Sequence, residues 1–411
     1  MISIIIWKIH DEGEKNNGNS ELLLNAFGNE RISHEDKRSK PKKYISYQPP
    51  GGGWNNQRIA FENAVIMAAM LKRTLLVHPL APHDYILELK TRFNQSAGYT
   101  IYNMLRTEEL IPISKLIDLN RLSSLLPLQE ITSSHNEFKK KFRNSSWYKV
   151  CHNGLAYAWV DKIPPGFDTS SLKLEKYSKY FRKAQKIAKY RQVCSEKSEI
   201  ELLGIWEFLR ELRKRKEDII YFDKGSLFVR HILFTDYKRA LDAQRALIDY
   251  IHPTFEVLHN AEQITSLIGK PFNAIHVRRN DHKTGRRLDI HYWISRLAKA
   301  NALKYSNKLY IATDETDFTW FSALKEAGYK IFFAKDFDVF REINQANPVK
   351  GKDIVGFHEQ VICSYAKIFV KSYYSTFSRV IERYREVEHW DKNRFRNLVF
   401  SPVKWLNIYR P

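Results

Sequence analysis

The densest group of chemistry-bearing residues in the chain is His276-Val-Arg-Arg-Asn-Asp281, followed at once by His282 and Lys283. It leaves a short apolar run, Phe272 to Val277, which follows Gly269 and Pro271 and reads as a buried strand. In an open α/β sheet, ligands bind where strands end. Two adjacent arginines and a histidine at such an edge can meet a diphosphate through charged, bidentate hydrogen bonds. Taken alone, the run reads equally well as a solvated charged loop, so the elements around it must decide.

Those elements alternate. After Phe272–Val277 the pattern predicts a helix near Ile290–Leu303, a strand Lys308–Ala312, a helix near Asp317–Ala327 and a strand Lys330–Ala334. A helix near Gly356–Ala366, a strand Lys367–Lys371 and a helix from Thr376 to about Arg385 follow. Strands alternating with helices imply a parallel sheet covered on both faces, hence a Rossmann-like unit. Three polar groups then share one sheet edge: His276 with Arg278, Asp314 after the second strand, and Ser375 with Thr376 before the last helix. Ser375 and Thr376 could offer hydroxyls and helix amides to a phosphate, or simply cap the helix. Asp314 could accept from a base or sugar hydroxyl, or likewise serve as a cap.

The first half holds a second such unit. Tyr44–Tyr47 suits a strand, Pro49-Pro-Gly-Gly-Gly-Trp-Asn-Asn-Gln-Arg58 a glycine loop, Ile59–Leu71 a helix with Glu62 and Asn63 on its wetter side, and Thr74–His78 a strand. Glycines let backbone approach a ligand, and the helix start supplies free N–H groups. The spacing matches neither the dinucleotide fingerprint nor the P-loop. Helices are expected at Leu172–Tyr190, Ile200–Lys216 and Tyr237–Tyr250, the last as a bridge between domains. His152-Asn-Gly is a candidate site turn and Pro164-Pro-Gly166 a loop. Residues 1–43 read as a disordered tail or stem, 44–250 as an N-terminal, acceptor-side domain, and 251–411 as a C-terminal, donor-side domain.

Composition sets the outer bounds. The 411 residues suffice for two cores, and 43% hydrophobic with 13% aromatic content is globular. Lys and Arg number 67 against 46 Asp and Glu, a net +21, which favours an anionic partner without choosing it. Cys151, Cys194 and Cys363 are too scattered for a disulfide framework or zinc site. No run approaches the ~18 apolar residues of a membrane span, and Met1–Trp7 lacks a complete signal pattern. Asn94-Gln-Ser and Asn144-Ser-Ser match the glycosylation sequon.

Three motifs together resemble the GDP-fucose protein O-fucosyltransferase family: Gly51-Gly-Gly-Trp-Asn-Asn-Gln-Arg58 with its helix and strand, His276-Val-Arg-Arg-Asn-Asp281, and Glu359 through Ser378. The resemblance spans roughly 44–80 and 270–385. It implies a GT-B fold of two Rossmann-like domains facing across a cleft, and inverting, metal-free transfer of fucose from GDP-fucose. The phosphate-binding arginine falls on Arg278 with His276 beside it, and the diphosphate-holding segment on Ser375, Thr376 and Phe377. The loop asparagine near the sugar falls on Asn55 or Asn56, with Gly52 and Gly53 in the same loop, and the aspartate after the second strand on Asp314.

Some family members carry a glutamate base just before the loop's last glycine; here that position is Gly52. Glu62, Asp281 and His152 are the alternative bases. The resemblance implies a Ser/Thr acceptor on a protein, with a glycan acceptor as the alternative, no nucleic-acid partner, no resident metal, and an ER or Golgi setting. A non-catalytic basic polyanion-binding protein is the competing class, supported by net charge alone.

Overall fold

The structure, a computed structural model, describes residues 43–93, 101–150, 158–160, 205–223, 226–228, 231–233, 237–280, 285–373 and 375–388. Residues 1–42, the expected helix at 172–190, the loop at 164–166, and Asn94, Cys151, His152, Cys194, Asp281, His282 and Lys283 lie outside the described residues.

The strands are β1 (Tyr44–Tyr47), β2 (Thr74–Val77), β3 (Leu128–Glu130), β4 (Trp147–Val150), β5 (Ala158–Val160), β6 (Ile219–Phe222), β7 (His231–Leu233), β8 (Asn273–Val277), β9 (Lys308–Thr313), β10 (Lys330–Phe332) and β11 (Phe369–Val370). The longer helices are α1 (Trp54–Leu71), α2 (His83–Arg92), α3 (His135–Lys141), α4 (Ile205–Arg213), α5 (Tyr237–Tyr250), α6 (Phe255–Ile268), α7 (Ile290–Lys299), α8 (Asp338–Ala346), α9 (Pro348–Ser364) and α10 (Thr376–Glu388).

Two parallel sheets organise them, as the alternation of strands and helices implies. One runs β3-β2-β1-β6-β4 and the other β10-β9-β8-β11, with β5 and β7 forming a separate parallel pair. Every residue of β6 and β8 is buried, the mark of strands covered on both faces. One apolar core runs continuously from Ile45, Phe61 and Leu75 around the first sheet to Phe272, Ala274 and Tyr310 in the second. A smaller core around Ile275, Trp293 and Phe321 lies within the second half.

Several boundaries differ from the sequence expectation. Helix α1 starts at Trp54, directly after the glycines, so Asn55 to Arg58 are helical rather than loop. Asparagine and glycine together read as turn formers, yet Gly53 here only caps the helix that the asparagines begin. The wetter side assigned to that helix is absent: Glu62 and Asn63 are buried. Asn63 donates its amide to the Leu227 carbonyl at 2.7 Å, and Glu62 is ion-paired, so both polar groups have partners inside. The expected helix to Leu303 ends at Lys299, with a break at Asn301, whose φ is 51°. Helix α9 starts at Pro348, well before Gly356, because Asn347 caps it and Pro348 suits a first helical turn. Helix α5 has the expected bounds.

The last helix crosses back. Arg383 on α10 donates to Glu62 on α1 at 2.8 Å, and Arg58 on α1 donates to the Tyr384 hydroxyl at 2.7 Å. Arg385 reaches the Ser364 carbonyl at 3.0 Å and the Lys367 carbonyl at 3.1 Å, and also bonds the Ala366 carbonyl. It thereby satisfies the exposed carbonyl end of α9 with a positive charge where the helix dipole is negative. Among the described residues, no helix is long and apolar enough to cross a membrane.

Candidate active site

The site forms where the carboxyl edge of the second sheet meets the start of α1. β8 delivers His276 and Arg278 to that edge, β9 delivers Asp314, and β11 leads into the turn that starts α10 at Thr376. His276 is buried against this turn: its ring stacks on Phe377 with centroids 4.3 Å apart, and its Nδ1 lies 2.7 Å from Ser378 Oγ. Ser378 Oγ also accepts the Ser372 amide at 3.0 Å, which closes the turn on itself. The other edge of Phe377 lies over Gly356, where a Cβ would stand 3.6 Å from the ring. The turn is thus packed into shape at the positive dipole end of α10, with the Ser378 amide donating to Ser375 Oγ at 3.5 Å.

Arg279 makes contacts within its own half of the chain. Its guanidinium pairs with Glu315 at 3.0 Å and sits over the Trp320 ring at 4.1 Å. Arg278 is half-buried on the same loop. Asp314 holds the loop: one carboxylate oxygen accepts the Arg279 amide at 2.6 Å and the other the Asn280 amide at 3.0 Å. Its backbone carbonyl also takes the Asn280 side chain. Asp314 therefore does the capping work that was the plainer of its two expected roles, beside Arg278.

Across the seam, the glycine loop is stapled in place by Gln57. Its Nε2 donates to the carbonyls of Gly52 and Ala81 at 2.7 Å each, and its Oε1 accepts the Ala81 amide at 2.9 Å. Lys90 adds a bond to the Gly51 carbonyl at 3.0 Å. Gly53 lies against the His83 ring, 3.7 Å from where a Cβ would be. Asp353 on α9 accepts the His83 amide at 2.8 Å and bonds the Trp54 backbone, so one carboxylate ties the starts of α1 and α2 to α9. Burial pushes its carboxyl up to about 6, against the lowering effect of those bonds.

The two candidate asparagines each meet the second half of the chain. Gln360 Nε2 donates to Asn55 Oδ1 at 2.7 Å and to the Phe377 carbonyl at 3.1 Å. Thr376 Oγ1 donates to Asn56 Oδ1 at 3.2 Å. Asn56 also folds back over the loop, its Nδ2 only 2.7 Å from where a Cβ on Gly52 would stand. The space beside Gly52 is therefore filled by the Asn56 amide.

The remaining base candidates fare differently. Glu62 is buried, which by itself would raise its carboxyl, but Arg383 and Arg58 hold it below the usual carboxylate range. With two guanidiniums on its oxygens it acts as a structural ion rather than a proton acceptor. Asp281 and His152 lie outside the described residues. Among the described residues, no group of three or more His, Cys, Asp or Glu side chains gathers as metal ligands would.

Of the residues expected from sequence, the fold brings His276 onto Phe377, Thr376 onto Asn56, and Asn55 and Phe377 onto a shared Gln360, while Asp314 bonds the amides that follow Arg278. Sequence reasoning missed Gln57, Asp353, Gln360 and Ser378. Gln57, Gln360 and Ser378 lie inside the three motifs, but each has a polar or charged neighbour, so no local pattern marks them.

Comparison with known proteins gives the same direction. A model of the GDP-fucose protein O-fucosyltransferase family matches residues 44–388. No curated protein sequence matches the chain significantly. Among solved structures, POFUT1 in complex with GDP superposes at a TM-score of 0.46 with 16% identity, over 85% of this chain and 96% of that one. POFUT1 in complex with GDP-fucose superposes at 0.44 with 14% identity, over 85% and 96%. The fucosyltransferase NodZ from Bradyrhizobium gives 0.44 and 12%, over 84% and 92%.

Proposed function

Because the chain belongs to the GDP-fucose protein O-fucosyltransferase family, we propose that it moves fucose from GDP-fucose to a Ser or Thr hydroxyl of an acceptor protein, with inversion and without a metal. The observation that carries this reading is the seam itself. There the Thr376 hydroxyl meets Asn56 and Gln360 ties Asn55 to the Phe377 carbonyl, and Arg278 follows the neighbouring strand β8.

The chemistry follows from those groups. The acceptor hydroxyl oxygen attacks the anomeric carbon as the glycosyl–phosphate bond breaks, the bonding electron pair leaves with the β-phosphate of GDP, and the hydroxyl proton passes to that phosphate or to solvent. Negative charge therefore builds on the phosphate. Arg278 and the N-terminal amides of α10 are fixed donors for that charge and need not reorganise as it develops. Ser375 and Thr376 add hydroxyls. His276 and Ser378 keep the turn rigid, so the donors stay aimed. No carboxylate among the described loop residues stands ready as a strong base; a loose transition state, with much of the bond to GDP already broken, asks little of one.

Calorimetry with GDP in the presence of EDTA tests the donor site, with GMP, ADP and UDP as comparators. The expected result is micromolar, GDP-selective binding that Arg278→Ala abolishes, followed by fucose transfer to a protein acceptor. Indifference to every nucleotide, with polyanion binding that weakens steeply in salt, would overturn the reading in favour of a polyanion-binding protein.

A further inference from the structure

We propose that Gln360 is a positioning residue: it fixes the polarity of the Asn55 amide and clips the glycine loop of one half onto the Ser-Thr-Phe turn of the other. The proposal rests on the donor-site reading above and assigns a role to a residue that reading does not use.

Gln360 sits on α9 and is fully buried. Its orientation is unambiguous, because the Phe377 main-chain carbonyl 3.1 Å away can only accept, so the group facing it must be Nε2. The same Nε2 faces Asn55 at 2.7 Å and donates there too. Asn55 must then turn its carbonyl oxygen to Gln360. What it can offer the site is its Nδ2, a donor suited to a phosphate oxygen or a sugar hydroxyl oxygen and unable to accept. Thr376 Oγ1 meets Asn56 at 3.2 Å, but a hydroxyl both donates and accepts, so only Asn55 has its polarity fixed in this way. Asn55 is therefore set as a donor by the opposite half of the chain, which suits a site where negative charge develops.

A second observation shows that Gln360 is more than packing. Its Oε1 is buried with no protein partner. A buried amide left half-satisfied is a costly choice for a core position, where an apolar side chain of similar volume would do. Retaining it makes sense where the Nε2 bonds organise a site. Helix α9 is itself anchored on both sides of the seam, by Asp353 at the starts of α1 and α2 and by Arg385 at its own end. Gln360 is thus held on a rigid element, as a positioning group must be.

The test uses Gln360→Met, which keeps volume, and Gln360→Glu, which keeps shape but replaces the donor by an acceptor facing two oxygens. Asn55→Ala and the double variant Gln360→Met/Asn55→Ala complete the set. GDP affinity, thermal melting, and kcat and KM for GDP-fucose transfer are measured on the full chain. Expected are melting curves and GDP affinity close to wild type for Gln360→Met, with kcat/KM lower by about 10–100-fold, the effect of a misplaced group. Gln360→Glu should be worse still. The double variant should lose no more than the larger single one, since both changes remove the same oriented amide. Penalties that multiply, or a folded Gln360→Met with wild-type kcat/KM, would overturn the proposal while leaving the donor site standing. If Gln360→Met does not fold, a folded Gln360→Glu with wild-type kinetics overturns it equally. Failure of the wild-type protein to bind GDP would overturn the donor-site reading itself, and this proposal with it.

Discussion

Arg278 and Arg279 carry the same charge, and their surroundings separate their work. Arg279 is engaged by Glu315 and stacked on Trp320, so its loss loosens a loop. Arg278 is the arginine that we propose meets the diphosphate. Arg278→Ala should lower transfer by at least about 10²–10³, the scale for one preorganised donor, and Arg279→Ala by about tenfold or less. Steady-state transfer assays check the ranking, and equal losses would refute it. Gly52 makes a second residue-scale case. A Cβ there would stand 2.7 Å from Asn56 Nδ2, so Gly52→Ala must push Asn56 off Thr376. Activity should fall by about tenfold or more, as for a displaced group. Gly52→Glu should fall as well rather than gain a base; a pH–rate profile showing a new, productive ionisation would contradict this.

At the scale of elements, α10 is what joins the two halves at the site. Its first turn carries the donors that we propose for the phosphate, and its later residues lock onto α1 through Arg383–Glu62 and Arg58–Tyr384. Glu62 lies between two guanidiniums with little access to water, so removing its charge leaves both uncompensated. Glu62→Gln should cost about 3–5 kcal/mol of stability, read from denaturant unfolding. A loss under about 1 kcal/mol would show that solvent screens the cluster. The same element explains why the helix start at Trp54 escaped a sequence reading. A glycine run followed by two asparagines has the local look of a turn. The helix begins there because Asp353, far along the chain, accepts from the Trp54 and His83 amides.

For the whole molecule, the buried acid Glu359 links stability to pH. Burial raises its carboxyl to about 8, while the bond from the Tyr310 hydroxyl at 3.1 Å works in the lowering direction. The folded state therefore keeps a proton that the unfolded state releases near its ordinary value of 4.5. This contribution is fully present below that value and is lost as pH rises through about 8. Wild type should lose stability relative to Glu359→Gln across this window. Thermal melts of both proteins from acid to mildly alkaline pH check it; parallel curves would mean that Glu359 is ionised in the folded protein.

The strand and helix order of the second half was legible because each strand is a short apolar run between turn residues, and each helix start has local chemistry. The edge residues His276, Arg278, Asp314, Ser375 and Thr376 followed directly, since strand ends in a parallel sheet share one side. The middle of the chain was less legible: β4, β6 and α3 are short, and their apolar residues depend on neighbours for burial. What the sequence by itself determined is the order of elements, the family motifs and the set of polar groups at the sheet edge, all of them local patterns. Tertiary structure alone decided that Gln360 meets Asn55 across 305 residues, Thr376 meets Asn56 across 320 and Arg383 meets Glu62 across 321. Such pairings depend on the path of the folded chain, and no local pattern of charge or hydropathy carries that path.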